Sequence, residues 1–393
     1  MNGPNRLAPR RAPKSVAGSL GLALMLAVAF TVPATAQTDT AADPSAVPAF
    51  GERSLHILHV PLLDFAPAAR GVVVPWRIEW GLESIYANTF STSQLVNRFH
   101  DTPQRRGRPI DPQEVDELHR EFPNEPIFFV DGEVVRTALA ARIGLPRSLS
   151  LSIEVPYIYR DLTLDGAVRS FHHHIGQAQN GRDLFPNGEL AAVIQSPGGP
   201  VSFFGGPRRS GIGDATAAIF WRRESLGHAL TYGFDLALKT PTGSPEKLNG
   251  SGGWDGGFRL FVAWCRGPWT AEADASYVVP GAWKIPLRLN PDPFGRIFVS
   301  AVRALGRSTR LGASVTAAQS PFRDERIGSL SRNGIEFALG IERDISRLPV
   351  RLTLTEHLPR FGDRADFSVG IALRLRSLSL RASGSENGRV PSS

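Results

Sequence analysis

Between Glu133 and Asp161 the chain runs twice through strict alternation, with a three-residue turn between the runs. In the first run Val135, Thr137, Leu139, Ala141 and Ile143 share one parity, and Arg136, Ala138, Ala140, Arg142 and Gly144 share the other. In the second, Leu149, Leu151, Ile153, Val155, Tyr157 and Tyr159 oppose Ser150, Ser152, Glu154, Pro156 and Arg160. Successive strand side chains point to opposite faces, so each run is a ribbon with one apolar and one polar side. Arg142 and Glu154, with only small neighbours, are costly in a dry core. The apolar side needs lipid or a second sheet, and the polar side needs water. That pairing favours a barrel with an oily outside and a wet lumen.

The same period returns along the chain. Trp76, Ile78, Trp80 and Leu82 oppose Arg77, Glu79, Gly81 and Glu83 within 72–86, and the two tryptophans suit an interfacial aromatic girdle, or alternatively the core of a sandwich. Further ribbons fall at 213–223, 230–239, 255–264, 269–279, 295–305, 309–319, 335–342, 350–355 and 365–376, about twelve strands in all. The inward parity then collects Arg136, Arg142, Glu154, Arg160, Asp235, Lys239, Arg259, Glu272, Asp274, Arg310, Glu336 and Arg351 as candidate lumen-facing residues. Both signs are present, so these side chains either pair and fill the lumen or line a channel of modest selectivity.

Connection lengths carry a second message. The gaps at 88–128, 162–211, 240–254, 281–294, 321–333 and 359–364 are long or medium, and between them lie tight turns at 146–148, 224–227, 267–268, 306–308 and 346–349. An up-and-down barrel has short turns at one end and longer loops at the other, whereas Greek-key crossovers give no such regularity. Inside the first gap, Asp111-Pro112-Gln113-Glu114 is a helix start, and Val115, Leu118, His119 and Phe122 recur at helical spacing, predicting a helix over 112–122. The short apolar segment Leu55–Leu63, which contains Pro61, fits either a periplasmic strand or an inward-folded lead.

At the N-terminus Arg6, Arg10, Arg11 and Lys14 precede an apolar run from Val16 to Val32 and then Ala34-Thr35-Ala36, the pattern of a secretory signal peptide cleaved after Ala36. Losing those four cations takes the net charge from +7 to +3. The remaining basic residues are scattered one per strand or turn, which argues against nucleic acid as a partner. The one cysteine, Cys265, rules out an internal disulfide, and beyond the signal no apolar run is long enough for a membrane helix.

Signals for chemistry are weak. His172-His173-His174 has no carboxylate or cysteine at a metal-ligand spacing. The glycines of 240–255 lack the order of a phosphate-binding loop, and no serine sits in a G-x-S-x-G elbow. Neither a cofactor, a metal nor an enzymatic activity is expected. The last strand, Ser368-x-Gly370-x-x-Leu373-x-Leu375, is similar to the signal read by the outer-membrane assembly machinery, though it ends on leucine where an aromatic is usual.

Several segments together resemble the bacterial family catalogued as domain of unknown function 3187, over roughly residues 72–376. They are Asp131-Gly132-Glu133-Val134-Val135-Arg136, Ser152-x-Glu154-Val155-Pro156-Tyr157, Leu164-Asp165-Gly166 with Phe171-His172 and Arg182, Gly211-x-Gly213-Asp214, Lys239-x-Pro241-Thr242-Gly243 with Gly250-Ser251-Gly252, and Ser320-Pro321-Phe322. The resemblance implies an outer-membrane-type barrel in a Gram-negative cell and supplies no activity. The expected organisation is a signal peptide over 1–36, a flexible N-terminal lead over 37–71, an all-β antiparallel up-and-down transmembrane barrel over 72–376 and a disordered tail over 377–393. The expected location is the cell outer membrane, with outer-membrane lipid and the assembly machinery as partners. The leading expectation for function is a passive pore or uptake channel for small solutes, gated by 88–128 and 162–211. A closed structural or surface-binding barrel is the alternative, and a lipid-modifying hydrolase at the rim is a third.

Overall fold

The computed structural model describes residues 50–379 apart from 52, 67–72, 161–163, 175–180, 206–209, 226–228, 347 and 359–364. The expected signal peptide, residues 37–49 of the expected lead and residues 380–393 of the expected tail lie outside the described residues, whereas 377–379, expected to begin that tail, belong to the last strand. In chain order the strands are β1 (Arg77–Thr92), β2 (Ile127–Gly144), β3 (Leu149–Tyr159), β4 (Ala191–Gln195), β5 (Ser202–Gly205), β6 (Gly211–Ile212), β7 (Thr216–Ser225), β8 (Leu230–Lys239), β9 (Asp255–Arg266), β10 (Trp269–Val279), β11 (Phe294–Ala304), β12 (Thr309–Ala318), β13 (Gly334–Ile345), β14 (Leu348–His357) and β15 (Phe367–Ser379). Twelve of them, all except β4 to β6, pair antiparallel with their neighbours around a full circle, which β1 and β15 close through pairs such as Tyr86 with Val369. Closure leaves these strands no unpaired edge.

The short connections all lie at one end and the long ones at the other. At the β2–β3 turn Arg147 and Ser148 both take positive φ, 61° and 63°, the backbone twist that joins right-twisted strands over a few residues. Outward positions carry an exposed apolar belt: Leu139, Ile153, Leu236, Leu260, Ile297, Val299 and Leu339 are each about half exposed. Trp264 and Trp269 edge it near the short turns, and Tyr157, Phe258 and Tyr277 edge it near the long loops. From Trp269 to Tyr277 the chain rises about 27 Å along the strand, or about 20 Å along the axis of a barrel tilted near 40°. That height suits a hydrocarbon layer, and so much contiguous apolar surface is not tolerated in water.

The long connections are built, not structureless. Helices α1 (Gln94–His100) and α2 (Pro112–Glu121) join the β4–β5 hairpin, which extends the sheet from the upper part of β2. Asp111 caps α2 by accepting from the Glu114 amide at 2.9 Å, so the helix forms where the sequence places it. Phe90, Phe99, Val115, Leu118, Phe129, Phe185 and Val193 form the core of this cap. A third helix, α3 (Asp165–His174), packs Val168 against Tyr86 on the outer wall. Asp131 and Glu133 lie on the outward parity of β2 and yet are buried, Asp131 against Arg182 and Glu133 against the Leu164 amide just before α3.

Among the pH-sensitive groups of the cap, Glu189 is the one shifted most clearly into the neutral range. Burial raises the Glu189 carboxyl from about 4.5 to about 7, although its side chain accepts from the Ile110 amide at 2.7 Å. A folded state that holds a proton more tightly than the unfolded chain loses stability as pH rises between those two values. Hydrogen exchange of 107–122 and 184–190 is therefore expected to speed up from pH 4.5 to pH 7 beyond its intrinsic base dependence, and to level off above. Glu189→Gln, which keeps the acceptor and loses the titration, is expected to remove that component.

Candidate functional site: a plugged bore

Twelve strands about 4.8 Å apart and tilted near 40° enclose a backbone cylinder about 24 Å wide, against about 16 Å for eight strands, whose interior side chains suffice to fill. The extra 8 Å or so is close to the width of one chain. A chain occupies it: the described residues of 50–66 lie inside the barrel. Of the lead expected to be flexible over 37–71, the described residues between Phe50 and Ala66 are thus packed, and of the two placements open for Leu55–Leu63 the inward-folded one is found. The physical reason is the void that twelve strands leave.

The plug starts toward the short-turn end. Phe50 is fully buried there, under the Arg351 guanidinium at 5.0 Å, in a notch made by Gly312 and Gly340, where a side chain would collide with its ring. It turns at His56–Val60 near the long loops, where Ile57 and Leu58 join Phe128, Val130, Ile194, Leu248 and Phe322 in a second apolar core. It then descends, packing Leu63 and Phe65 beside Gly257, while the Leu63 amide donates to Asp255 at 2.8 Å. Two cavities beside it hold about 20 Å³ each, room for a water molecule apiece.

Charge crosses the bore through this segment. Glu83 on β1 faces Arg136 on β2 at 3.6 Å, and Arg136 pairs with Glu154 on β3. Glu154 also meets the plug's Arg53 at 2.7 Å. Arg53 donates to the Asp64 carbonyl, and the Asp64 carboxylate reaches Arg296 on β11 at 2.9 Å. From Arg296 the chain of alternating charge runs to Asp274 at 3.9 Å, to Arg259 at 3.9 Å, then to Asp235 and Arg222. Two plug residues thus bridge the bore from Glu154 on β3 to Arg296 on β11, five strands further round the wall. None of the described plug residues belongs to a strand of the sheet.

Of the twelve residues expected to face the lumen, Arg136, Glu154, Arg259, Asp235 and Asp274 lie in this chain. Arg142 is buried over the Phe220 ring at 4.8 Å and donates to Ser150. Glu272 and Glu336 are buried, the latter lining one of the small cavities. Arg310 and Arg351 converge on Glu342 at 2.9 and 3.0 Å near the short-turn mouth. Arg160 and Lys239 sit elsewhere, at the long-loop rim. Arg160 holds the carbonyls of Lys247 and Leu248, and Lys239 holds Asp214 at 2.6 Å, Ser251 at 2.7 Å and Asp255 at 3.4 Å. Sequence reasoning missed Arg53, Asp64, Arg222 and Arg296. The last two carry the inward parity of their strands and were findable; the plug pair lies in a segment with no period.

Four of the six segments quoted for the family resemblance, all but those at 152–157 and 320–322, fold into two charged clusters at the rim. In one, Arg182 joins Asp131 at 2.5 Å and Asp165, while Glu133 accepts from the Tyr86 hydroxyl at 2.6 Å. The other is the Asp214, Lys239 and Ser251 set. The consecutive histidines lie on α3, where successive side chains diverge: His172 is buried against Glu356 at 3.1 Å, and His173 and His174 are exposed. Among the described residues no three His, Cys, Asp or Glu side chains group to hold a metal ion.

A closed twelve-strand antiparallel barrel with a lipid-suited belt and an inserted plug defines a membrane β-barrel. Residues 122–271 match the family described as "Protein of unknown function (DUF3187)", in line with the resemblance read from the sequence. No curated protein matches the chain. In fold it is similar to an outer membrane channel from Pseudomonas putida F1, at 10% identity and a TM-score of 0.49, covering 80% of this chain and 100% of that one. It is also similar to a FadL homologue of Pseudomonas aeruginosa, at 12% identity and 0.36, covering 84% and 99%. A third similar structure is outer membrane phospholipase A of Escherichia coli, at 10% and 0.32, covering 81% and 97%.

Proposed function

We propose that the protein is an outer-membrane channel for small hydrophilic solutes, closed at rest by residues 50–66 and opened when that segment leaves the bore. The observation that carries this reading is the manner in which the plug is held. None of its described residues makes a ladder hydrogen bond to the wall, so it can withdraw while all twelve strands stay paired. The wall it uncovers is polar and mixed in charge, which suits water and small polar solutes better than hydrocarbons. With short turns toward the periplasm and long loops outside, Phe50 lies toward the periplasmic end of the bore.

Planar-bilayer recording tests the reading. The full chain is expected to be mostly silent, and a chain lacking 50–66 to give long-lived discrete openings. A silent deletion variant with intact heat-modifiable mobility would overturn it. That outcome would select the second reading, a permanently closed surface-binding barrel, which draws on the burial of Ile57 and Leu58 in the core beneath the cap. A hydrolase reading calls for a Ser/His pair at the outer rim. The rim histidines His172 and His357 face Glu356 and Asp366 instead.

A further inference from the structure

The outward face of the barrel changes chemistry abruptly below the apolar belt. At the short-turn ends of β7, β9, β11 and β13, four of the six strands that run toward that end, the outward positions are Arg223, Arg266, Arg303 and Arg343, all exposed. Each follows an outward apolar residue two positions earlier, Trp221, Trp264, Ala301 and Ile341. Arg303 stands 5.4 Å from the ring centre of Trp269, which is paired in register with both Arg266 and Arg303. The carboxylates at this end, Glu79, Glu224, Glu342 and Asp344, all take the inward parity and are buried or partly buried. Among the described residues none of the four arginines is ion-paired. At the other edge of the belt the outward positions include Tyr157, Leu238, Phe258, Tyr277, Val279 and Ile335, without a cation among the described residues. Charge at the lipid-facing surface is therefore one-sided.

We propose that this arginine ring binds the phosphates of anionic phospholipid in the leaflet on the short-turn side. The guanidinium fork matches a phosphodiester with paired hydrogen bonds, and cation–π contact with an interfacial tryptophan holds it at headgroup depth. Outward parity directs the four side chains into lipid and away from the bore, so their counter-charge comes from the bilayer. The inference rests on the membrane placement above and is independent of whether the bore conducts.

The test uses the full chain in vesicles of phosphatidylcholine mixed with brominated phosphatidylglycerol or brominated phosphatidylcholine, read by quenching of tryptophan fluorescence. The expected result is a relative binding constant about fivefold in favour of phosphatidylglycerol, the size that one arginine near an anionic surface supplies. It is expected to fall toward one in the Arg223→Gln, Arg266→Gln, Arg303→Gln, Arg343→Gln variant and in 1 M salt, where such contacts are screened. The milder Arg266→Gln, Arg303→Gln pair serves if the quadruple variant does not fold, and is expected to lose about half of the logarithm of the preference. Equal quenching by both lipids in the native chain, or a preference that survives the substitutions, overturns the proposal. Absence of quenching by either lipid overturns the membrane placement with it.

Discussion

Asp235→Ala is expected to destabilise the barrel by about 3–5 kcal/mol, the cost of leaving a buried charge without its partner. Asp235 is fully buried between Arg222, itself fully buried, and Arg259. Removing the carboxylate leaves two cations facing each other across an unfilled space. Neither can reach water, because Phe261 lies under Arg222 at 4.8 Å and Phe65 of the plug lies under Arg259 at 5.1 Å. Urea unfolding of the folded protein in micelles, followed by tryptophan fluorescence, measures the loss. Asp235→Asn keeps an acceptor without the charge and is expected to lose less. Arg343→Gln, on the outer surface, is expected to stay within about 0.5 kcal/mol of the native chain. A loss under about 1 kcal/mol for Asp235→Ala would mean that the two arginines find other partners and that the charge chain is not a unit.

The second large effect concerns the seat of the plug. Gly312 and Gly340 leave a hollow in the wall, and a Cβ at either position meets the Phe50 ring. Glycine inside a strand weakens it, so valine at these positions favours the wall while denying Phe50 its place. Gly312→Val is expected to raise open probability in planar bilayers at least tenfold, which corresponds to a shift of about 1.4 kcal/mol toward the unplugged state. Gly312→Val, Gly340→Val is expected to go further. In the chain lacking 50–66 the same substitutions are expected to leave open probability unchanged, since nothing remains to expel. An equal effect with and without the plug would place the action of the valines in the wall itself.

Both predictions turn on residues whose roles are unequally visible in the sequence. The side of the wall on which Asp235, Arg259 and Asp274 lie follows from parity alone, since a strand has no freedom to turn one side chain without its neighbours. The same holds for the exposure of Leu236, Leu260 and Ile297. Likewise Asp111 and Pro112 announce α2 because a helix start is satisfied locally. Phe50, Arg53 and Asp64 carry no such mark. Their partners lie far away, Glu154 and Arg296 among them, and Pro61 interrupts any regular element. The burial of Asp131 and Glu133 was hidden for a related reason: their parity points outward, and only the chain folding back around α3 and Arg182 takes them from solvent.

Period-two alternation and the regular change of connection length thus pointed, without coordinates, to about twelve strands in antiparallel order, to a closed barrel and to which side chains face outward. These are properties of the backbone pleat and of chain connectivity, and both are written in sequence spacing. Only the tertiary structure decided that the bore is filled, by which segment, and through which ion pairs. Filling a bore about 24 Å wide is a matter of volume and of charges meeting across space, and neither has a period along the chain.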